Sequence, residues 1–402
     1  MHFGMRLHFS LARASCLLLA LPLPAGAALA EDGSATRVAG AWTNFLGVSV
    51  AGPAESTPRM GGRLDAWITV DGRDMGPWDG FAVHVRPEFI YGESVNRQGS
   101  GETLPINTAL SFPEVNTESW DLALTVSQEI GKARLTLGKI NTVDLKTRTP
   151  ILGGGGIDGF QFLQFAAPIT LFTPPMILGG LLNVPVGRAA VTLGLWDPVS
   201  AIRRTGFEER PFREGVAGMA AVTLPVRVRG QQGWQSFTVS GNSRRGIDLD
   251  DIPDLTLPPE AGGVIGTRQG GWLVKYAFQQ YLWQDPTNPK RGWGLFGDFS
   301  VWDSNPTPFE WGMSFGATGE PGFAHRPDDR IGLGYFRFSL ASDLVEGLAP
   351  LVPLRSEQGV ELFYTAQLRS QIALTANVQW LSPAQASFEP SLFTGLRLTA
   401  RF

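Results

Sequence analysis

From Asn44 to Phe402 the chain reads as segments of about ten residues in which apolar and polar side chains alternate, broken by turn-rich stretches. Ile372, Leu374, Ala376, Val378 and Trp380 share one parity, and Ala373, Thr375, Asn377 and Gln379 the other. Val360, Leu362, Tyr364, Ala366 and Leu368 stand likewise against Glu361, Phe363, Thr365 and Gln367, and Leu396, Leu398, Ala400 and Phe402 against Arg397, Thr399 and Arg401. A period of two puts successive side chains on opposite faces of a strand. One stretch invites another reading, because no charged residue occurs between Phe160 and Gly187, which is long enough for a membrane helix. Pro168, Pro174, Pro175, Gly179, Gly180 and Pro185 interrupt it, which leaves a loop leading into a strand near Met176 to Asn183. Without a helical span, the remaining way to cross lipid is a closed sheet whose backbone groups all pair.

Alternation also suits a soluble β-sandwich. Three features favour the membrane. Of the 12 tryptophans, Trp120, Trp272, Trp293, Trp311 and Trp380 fall at strand ends, where interfacial girdles lie. Charged residues make up only 17% of the chain, so a long outward face is free of charge. The polar faces carry Asp65, His84, Arg86, Glu88, Arg134, Lys275 and Arg397, which are costly in a dry core and natural in a wet lumen.

The fold class expected is all-β, a transmembrane antiparallel barrel of about sixteen strands with an inward-folding pore loop. Strands are expected to begin near residues 44, 62, 80, 118, 132, 176, 188, 215, 233, 271, 291, 309, 330, 359, 371 and 391. The longest stretches between them are Gly92 to Thr117, Asn141 to Pro175, Trp196 to Glu214, Gly241 to Gly270 and Ala341 to Glu357. The chain divides into a cleaved signal peptide at 1–30, a short periplasmic segment at 31–43, and one barrel at 44–402.

The signal reading rests on Arg6 and Arg13, the apolar run from Leu17 to Leu23 and the Ala28-Leu29-Ala30 site. Cys16, the one cysteine, would leave with it, so neither a disulfide nor a thiolate ligand is expected. Loss of two arginines and no acids moves the formal charge from -4 to -6, which argues against nucleic acid as a partner. No cofactor or metal is expected. The expected partners are a lipid bilayer, small hydrophilic solutes, and the barrel-assembly machinery, read through the last strand ending at Phe402.

Candidate pore-lining residues are Asp65, His84, Arg86, Glu88, Asp121, Arg134, Lys275, Asp298, Glu361, Arg397 and Arg401, a set mixed in sign. Asp144, Lys146 and Arg148, just before the run Gly153 to Gly156, mark the candidate pore loop. That run has no Gly-Lys-Ser/Thr after it and does not read as a phosphate cradle. Asp250-Asp251 and Asp328-Asp329 read as turn caps rather than metal ligands or an acid pair. An enzyme barrel of protease or phospholipase type would need His84 or His325 beside a serine or aspartate, and no such pairing is evident in the sequence. A structural or adhesive barrel with a closed lumen stays open at this point.

The C-terminal third resembles a known family. Arg291-Gly292-Trp293-Gly294-Leu295-Phe296-Gly297, Trp302-Asp303-Ser304-Asn305-Pro306, Arg326-Pro327-Asp328-Asp329 with Gly332-Leu333-Gly334-Tyr335, Gly359-Val360-Glu361-Leu362-Phe363-Tyr364 and the closing Gly395 to Phe402 are similar to the OprB-type carbohydrate-selective porins. The resemblance implies a sixteen-stranded barrel that passes monosaccharides or related small solutes by diffusion.

Overall fold

The computed structural model describes residues 36–74, 76, 78–111, 118–147, 151–152, 156–167, 174–201, 206–256 and 265–402. The expected signal peptide lies outside them. Sixteen strands run in chain order: β1 (Thr36–Ala51), β2 (Arg59–Asp71), β3 (Phe81–Gly92), β4 (Ser119–Ile130), β5 (Ala133–Asn141), β6 (Met176–Val186), β7 (Ala189–Trp196), β8 (Ala217–Val228), β9 (Gln231–Ile247), β10 (Thr267–Gln284), β11 (Gly292–Trp302), β12 (Phe309–Gly319), β13 (Arg330–Leu340), β14 (Glu357–Arg369), β15 (Ile372–Ser382) and β16 (Ser391–Arg401). Among the described residues three short α-helices lie in the connections: α1 (Thr142–Thr147), α2 (Leu163–Ala166) and α3 (Ser342–Leu348). Each strand pairs antiparallel with its chain neighbours, and β1 pairs with β16 to close the barrel. Phe402 completes that seam, its N–H and C=O exchanging hydrogen bonds with Gly40.

Period-two patterning accounts for the wall. Leu362, Val378, Leu396 and Leu398 point outward and are exposed, whereas Glu361, Phe363, Asn377, Gln379 and Arg397 of the opposite parity are buried. Outward positions on other strands repeat this with Leu64, Leu193, Val222, Phe237, Val274, Phe299, Phe315 and Leu333, all exposed. An apolar belt running round the whole sheet is far larger than a soluble monomer exposes, and it suits acyl chains. No helix among the described residues is long and apolar enough to cross a membrane.

Fourteen of the sixteen strands begin within three residues of the positions read from the sequence; the two exceptions are β1 and β10. β1 starts at Thr36 rather than near residue 44, so residues 36–43, read as part of a separate periplasmic segment, belong to the wall. β10 starts at Thr267 because β9 and β10 continue together as a polar ribbon, Ile247 opposite Thr267 and Arg245 opposite Gln269.

The barrel has unequal ends. Connections on the side of Thr36 and Arg401 are short, four of them two-residue hairpins at 131–132, 187–188, 229–230 and 370–371. Those on the other side include the long stretches 93–118, 142–175, 197–216, 248–266 and 341–356. They are called here the turn end and the loop end.

Candidate functional site

Two loops enter the lumen, where the sequence pointed to one. In the β5–β6 connection, Ile151, Leu152, Ile157, Phe160, Phe162 and Phe165 are buried; in the β3–β4 connection, Ile106, Ala109 and Leu110 are buried. The loops hold each other where Thr108 donates through N and Oγ1 to the Gln161 carbonyl at 2.9 and 2.8 Å.

Their rings complete an aromatic core inside the barrel. Phe160 lies 4.6 Å from Phe165 and 4.9 Å, edge-on, from Phe363, while Phe162 lies 5.0 Å from Phe336. Gly334 makes room, since a Cβ there would sit 2.8 Å from the Phe165 ring.

Polar wall residues grip the loops by their backbone. Glu361 accepts the N–H groups of Gln161 and Phe162 at 2.7 and 3.0 Å. Arg397 donates to the carbonyls of Gly156 and Gly159 at 2.7 and 3.0 Å, and Gln379 to that of Ile106 at 2.9 Å. Gln279 Oε1 accepts the N–H groups of Ile151 and Leu152, and Arg330 donates to the Ile151 carbonyl. Each buried loop peptide group so paired avoids the cost of an orphaned donor or acceptor.

A second anchor lies on β2 and β3. Arg63 bonds Asp65 at 2.6 Å and also Glu88; Arg86 reaches Asp65 at 3.0 Å, Glu88 at 3.2 Å and Asp144 of α1 at 2.7 Å. Arg86 also stacks 4.3 Å over Trp67, whose Nε1 donates to Asp144. Nearby, Lys139 pairs with Asp121 at 2.6 Å. These buried charges compensate one another, which is the condition for holding them away from bulk water.

The sequence-read residues thus separate. Asp65, Arg86, Glu88, Asp121, Lys275, Glu361 and Arg397 are buried inside the barrel, and Asp298 beside them lies 3.5 Å from Lys275 and accepts from Ser314 at 2.6 Å. Arg134 pairs with Glu129 at the exposed turn end instead of deep in the lumen, because it stands next to the hairpin. Arg401 sits near the same end and meets Asp158 of the inward loop. His84 does have a serine partner, contrary to the sequence reading: its ring nitrogens lie 3.0 Å from Thr69 Oγ1 and 3.0 Å from Ser127 Oγ, a tie across three strands. Lys146's side chain and Arg148 lie outside the described residues, as do Gly153 to Gly155. Asp251 caps a turn through the Gly266 N–H at 2.7 Å. Asp328 pairs with Arg291, and Asp329 takes bonds from Arg326 at 2.8 Å, from the Gln367 N–H at 2.9 Å and from Tyr364. Burial pushes the Asp329 carboxyl up, and those bonds outweigh it, holding it below the usual carboxylate range.

The wall from β6 to β9 is different. Its inward face carries Asn183, Pro185, Ala190, Thr192, Thr223, Pro225, Ser236, Thr238 and Ser240, all exposed or half-buried. Hydroxyls and an amide pair across strands, Thr192 to Asn183 at 2.8 Å and Thr223 to Ser236 at 3.1 Å. Trp234 stands on the same face, its ring 6.1 Å from Tyr281. The lumen thus has one half packed by the loops and one half whose inward hydroxyls stay in contact with solvent.

The family model for "Carbohydrate-selective porin, OprB family" matches residues 221–402. Over that stretch the chain is similar to the OprB porins. The match reaches further toward the N-terminus than the motifs that begin at Arg291. The high-pH structure of Pseudomonas putida OprB superposes with a TM-score of 0.78 at 16% identity, covering 92% of this chain and 94% of that one. The outer membrane channel DcaP of Acinetobacter baumannii gives 0.55 at 12% identity, covering 91% and 97%. A loop L8 deletion mutant of Vibrio cholerae OmpT gives 0.50 at 11%, covering 92% and 100%. At these identities the likeness is one of fold, and the OprB fold fits best of the three. No curated protein matches the sequence.

Proposed function

We propose that the protein is a porin of a Gram-negative outer membrane, through which small carbohydrates or similar hydrophilic solutes diffuse passively. One observation carries this reading: the open wall from β6 to β9 offers hydroxyls, an amide and the Trp234 ring to a solute, while the buried charges of β2 and β3 are tied to one another and to α1. Sugars need donors and acceptors of both kinds and a flat apolar face, which such a wall supplies. In this reading the turn end faces the periplasm, the long loops face outside, residues 1–30 are the export signal, and the strand ending at Phe402 is what the assembly machinery recognises.

His84 held between two hydroxyls fits a strut in the wall better than a catalytic base, so catalysis forms no part of the proposal. Refolded protein in liposomes should allow swelling in glucose, more slowly in disaccharide. Absence of swelling in every solute, with no single-channel steps in planar bilayers, overturns the reading. Hydrolysis of peptide or phospholipid that is lost in Ser127→Ala would replace it with an enzyme.

A further inference from the structure

The open wall carries a charge surplus that the porin reading leaves unused. Residues 176–247, which contain β6 to β9, hold nine arginines, no lysine and four carboxylates, a surplus of five positive charges in a chain whose formal charge is -4. At the turn end cations recur in a regular form that reaches beyond this range to Lys132. Three consecutive hairpins each join one glycine to one cation: Gly131-Lys132, Gly187-Arg188 and Arg229-Gly230. The favoured two-residue hairpin turns use positive φ, which the glycines adopt here at 59 to 82° and Arg229 at 51°. Lys132, Arg188 and Arg229 are therefore carried at the tips, and all three are exposed.

Arg227 extends the arc into the pore. It lies on the inward face of β8, two residues from Pro225, which pairs in register with Trp234. The carboxylate nearest to this arc in sequence, Glu129, is bonded to Arg134 at 2.5 Å. The arc thus edges the mouth of the open half, and a pore flanked by low-dielectric lipid focuses its field on whatever enters.

We propose that this pore prefers anionic hydroxylated solutes, namely sugar acids such as aldonates and uronates, over neutral sugars and over cationic amino sugars. The inference rests on the porin reading and adds the charge of the solute. A sugar ring lies against Trp234 while its carboxylate meets Arg227, and Lys132, Arg188 and Arg229 raise the local anion concentration at the same mouth. A potential of only one kT raises that concentration about threefold.

The test uses the full refolded barrel in planar bilayers of neutral phosphatidylcholine, so that no lipid charge contributes. Under a KCl gradient the reversal potential should give a chloride over potassium permeability ratio of about three at low salt. It should fall toward one near molar KCl, where the Debye length shrinks from about 10 Å to about 3 Å. The variant K132Q/R188Q/R227Q/R229Q should bring the low-salt ratio to about one, whereas Arg73→Gln, elsewhere on the rim and paired with Asp71, should not. Gluconate should then permeate wild type faster than glucosamine, and the two should converge in the variant. A cation-preferring channel, or a ratio that neither salt nor the four substitutions alter, overturns the proposal while leaving the pore intact. Absence of any conductance overturns the porin reading itself.

Discussion

The two halves of the lumen solve the same problem, a polar inner face in a closed sheet, in opposite ways. On β11 to β16 the inward face is covered: Phe296, Phe336, Phe363, Phe393, Glu361 and Arg397 are each at most 2% exposed, because two loops fold over them. On β6 to β9 many inward residues, among them Asn183, Thr192, Thr223 and Ser236, are small and polar and stay in contact with solvent, while Leu181, Trp196 and Ala217 on the same face pack together. In the proposed porin the packed half supplies rigidity and narrows the lumen, and the open half supplies the surface a solute meets. Stability and permeation should therefore respond to different substitutions.

The largest separation is expected between Phe165 and Thr223. Phe165→Ala removes a ring packed against Phe160, Phe296 and Phe336 and should cost about 3–5 kcal/mol of unfolding free energy in lipid vesicles, with a rise in single-channel conductance as the loop loosens. Thr223→Ala breaks one hydrogen bond in a wet wall and should cost about 0.5 kcal/mol or less. Equal costs would mean that the lumen is uniformly packed. Next in size is Glu361→Gln, which keeps the shape but replaces one of two acceptor oxygens by a donor facing a loop N–H. About 2 kcal/mol is expected, seen as a noisier open channel rather than global unfolding.

These halves were not equally legible in the sequence. Strand positions were, since the outward face must be apolar along every strand, and alternation survives wherever both faces carry contrasting residues. It failed at residues 36–43, where Gly40 and Ala41 give no contrast, and at Thr267 to Gln269, which are polar on both faces because the ribbon stands clear of the apolar belt. Asp65, Arg86 and Glu88 were readable as inward by parity, and Arg63 shares that parity two residues before Asp65, so the same rule would have found it. The grip on the loop was not readable. Glu361 and Gln161 stand 200 residues apart, and the spacing of Phe160, Phe162 and Phe165 in an uncharged stretch says only that something buries them.

On the open side, Trp234 separates recognition from stability. It is half-buried, with Tyr281 as its ring neighbour, so Trp234→Ala should cost about 1 kcal/mol in stability while slowing glucose and gluconate influx alike, by a few-fold. Influx of a small solute without a sugar ring, such as glycine, should be unchanged or faster. Equal slowing of all solutes would assign Trp234 to the structure of the wall and not to the passage.

The smallest effect expected is a difference in acid response between the two rims. Asp329 fastens the β12–β13 turn on the packed side through Arg326, Tyr364 and the Gln367 N–H, whereas the hairpins of the open side are two-residue turns with no carboxylate in them. A carboxyl held below its unfolded value, about 4, adds stability at all pH above that value and loses it as pH falls through its folded value. Asp329→Asn should therefore lower the unfolding free energy by about 1–2 kcal/mol at neutral pH, and the difference from wild type should shrink in acid. Urea unfolding of both proteins at neutral and acid pH measures it. A difference that persists unchanged below the folded value would trace the effect to packing of the turn, because a protonated carboxyl and an amide would then be equally poor partners for Arg326.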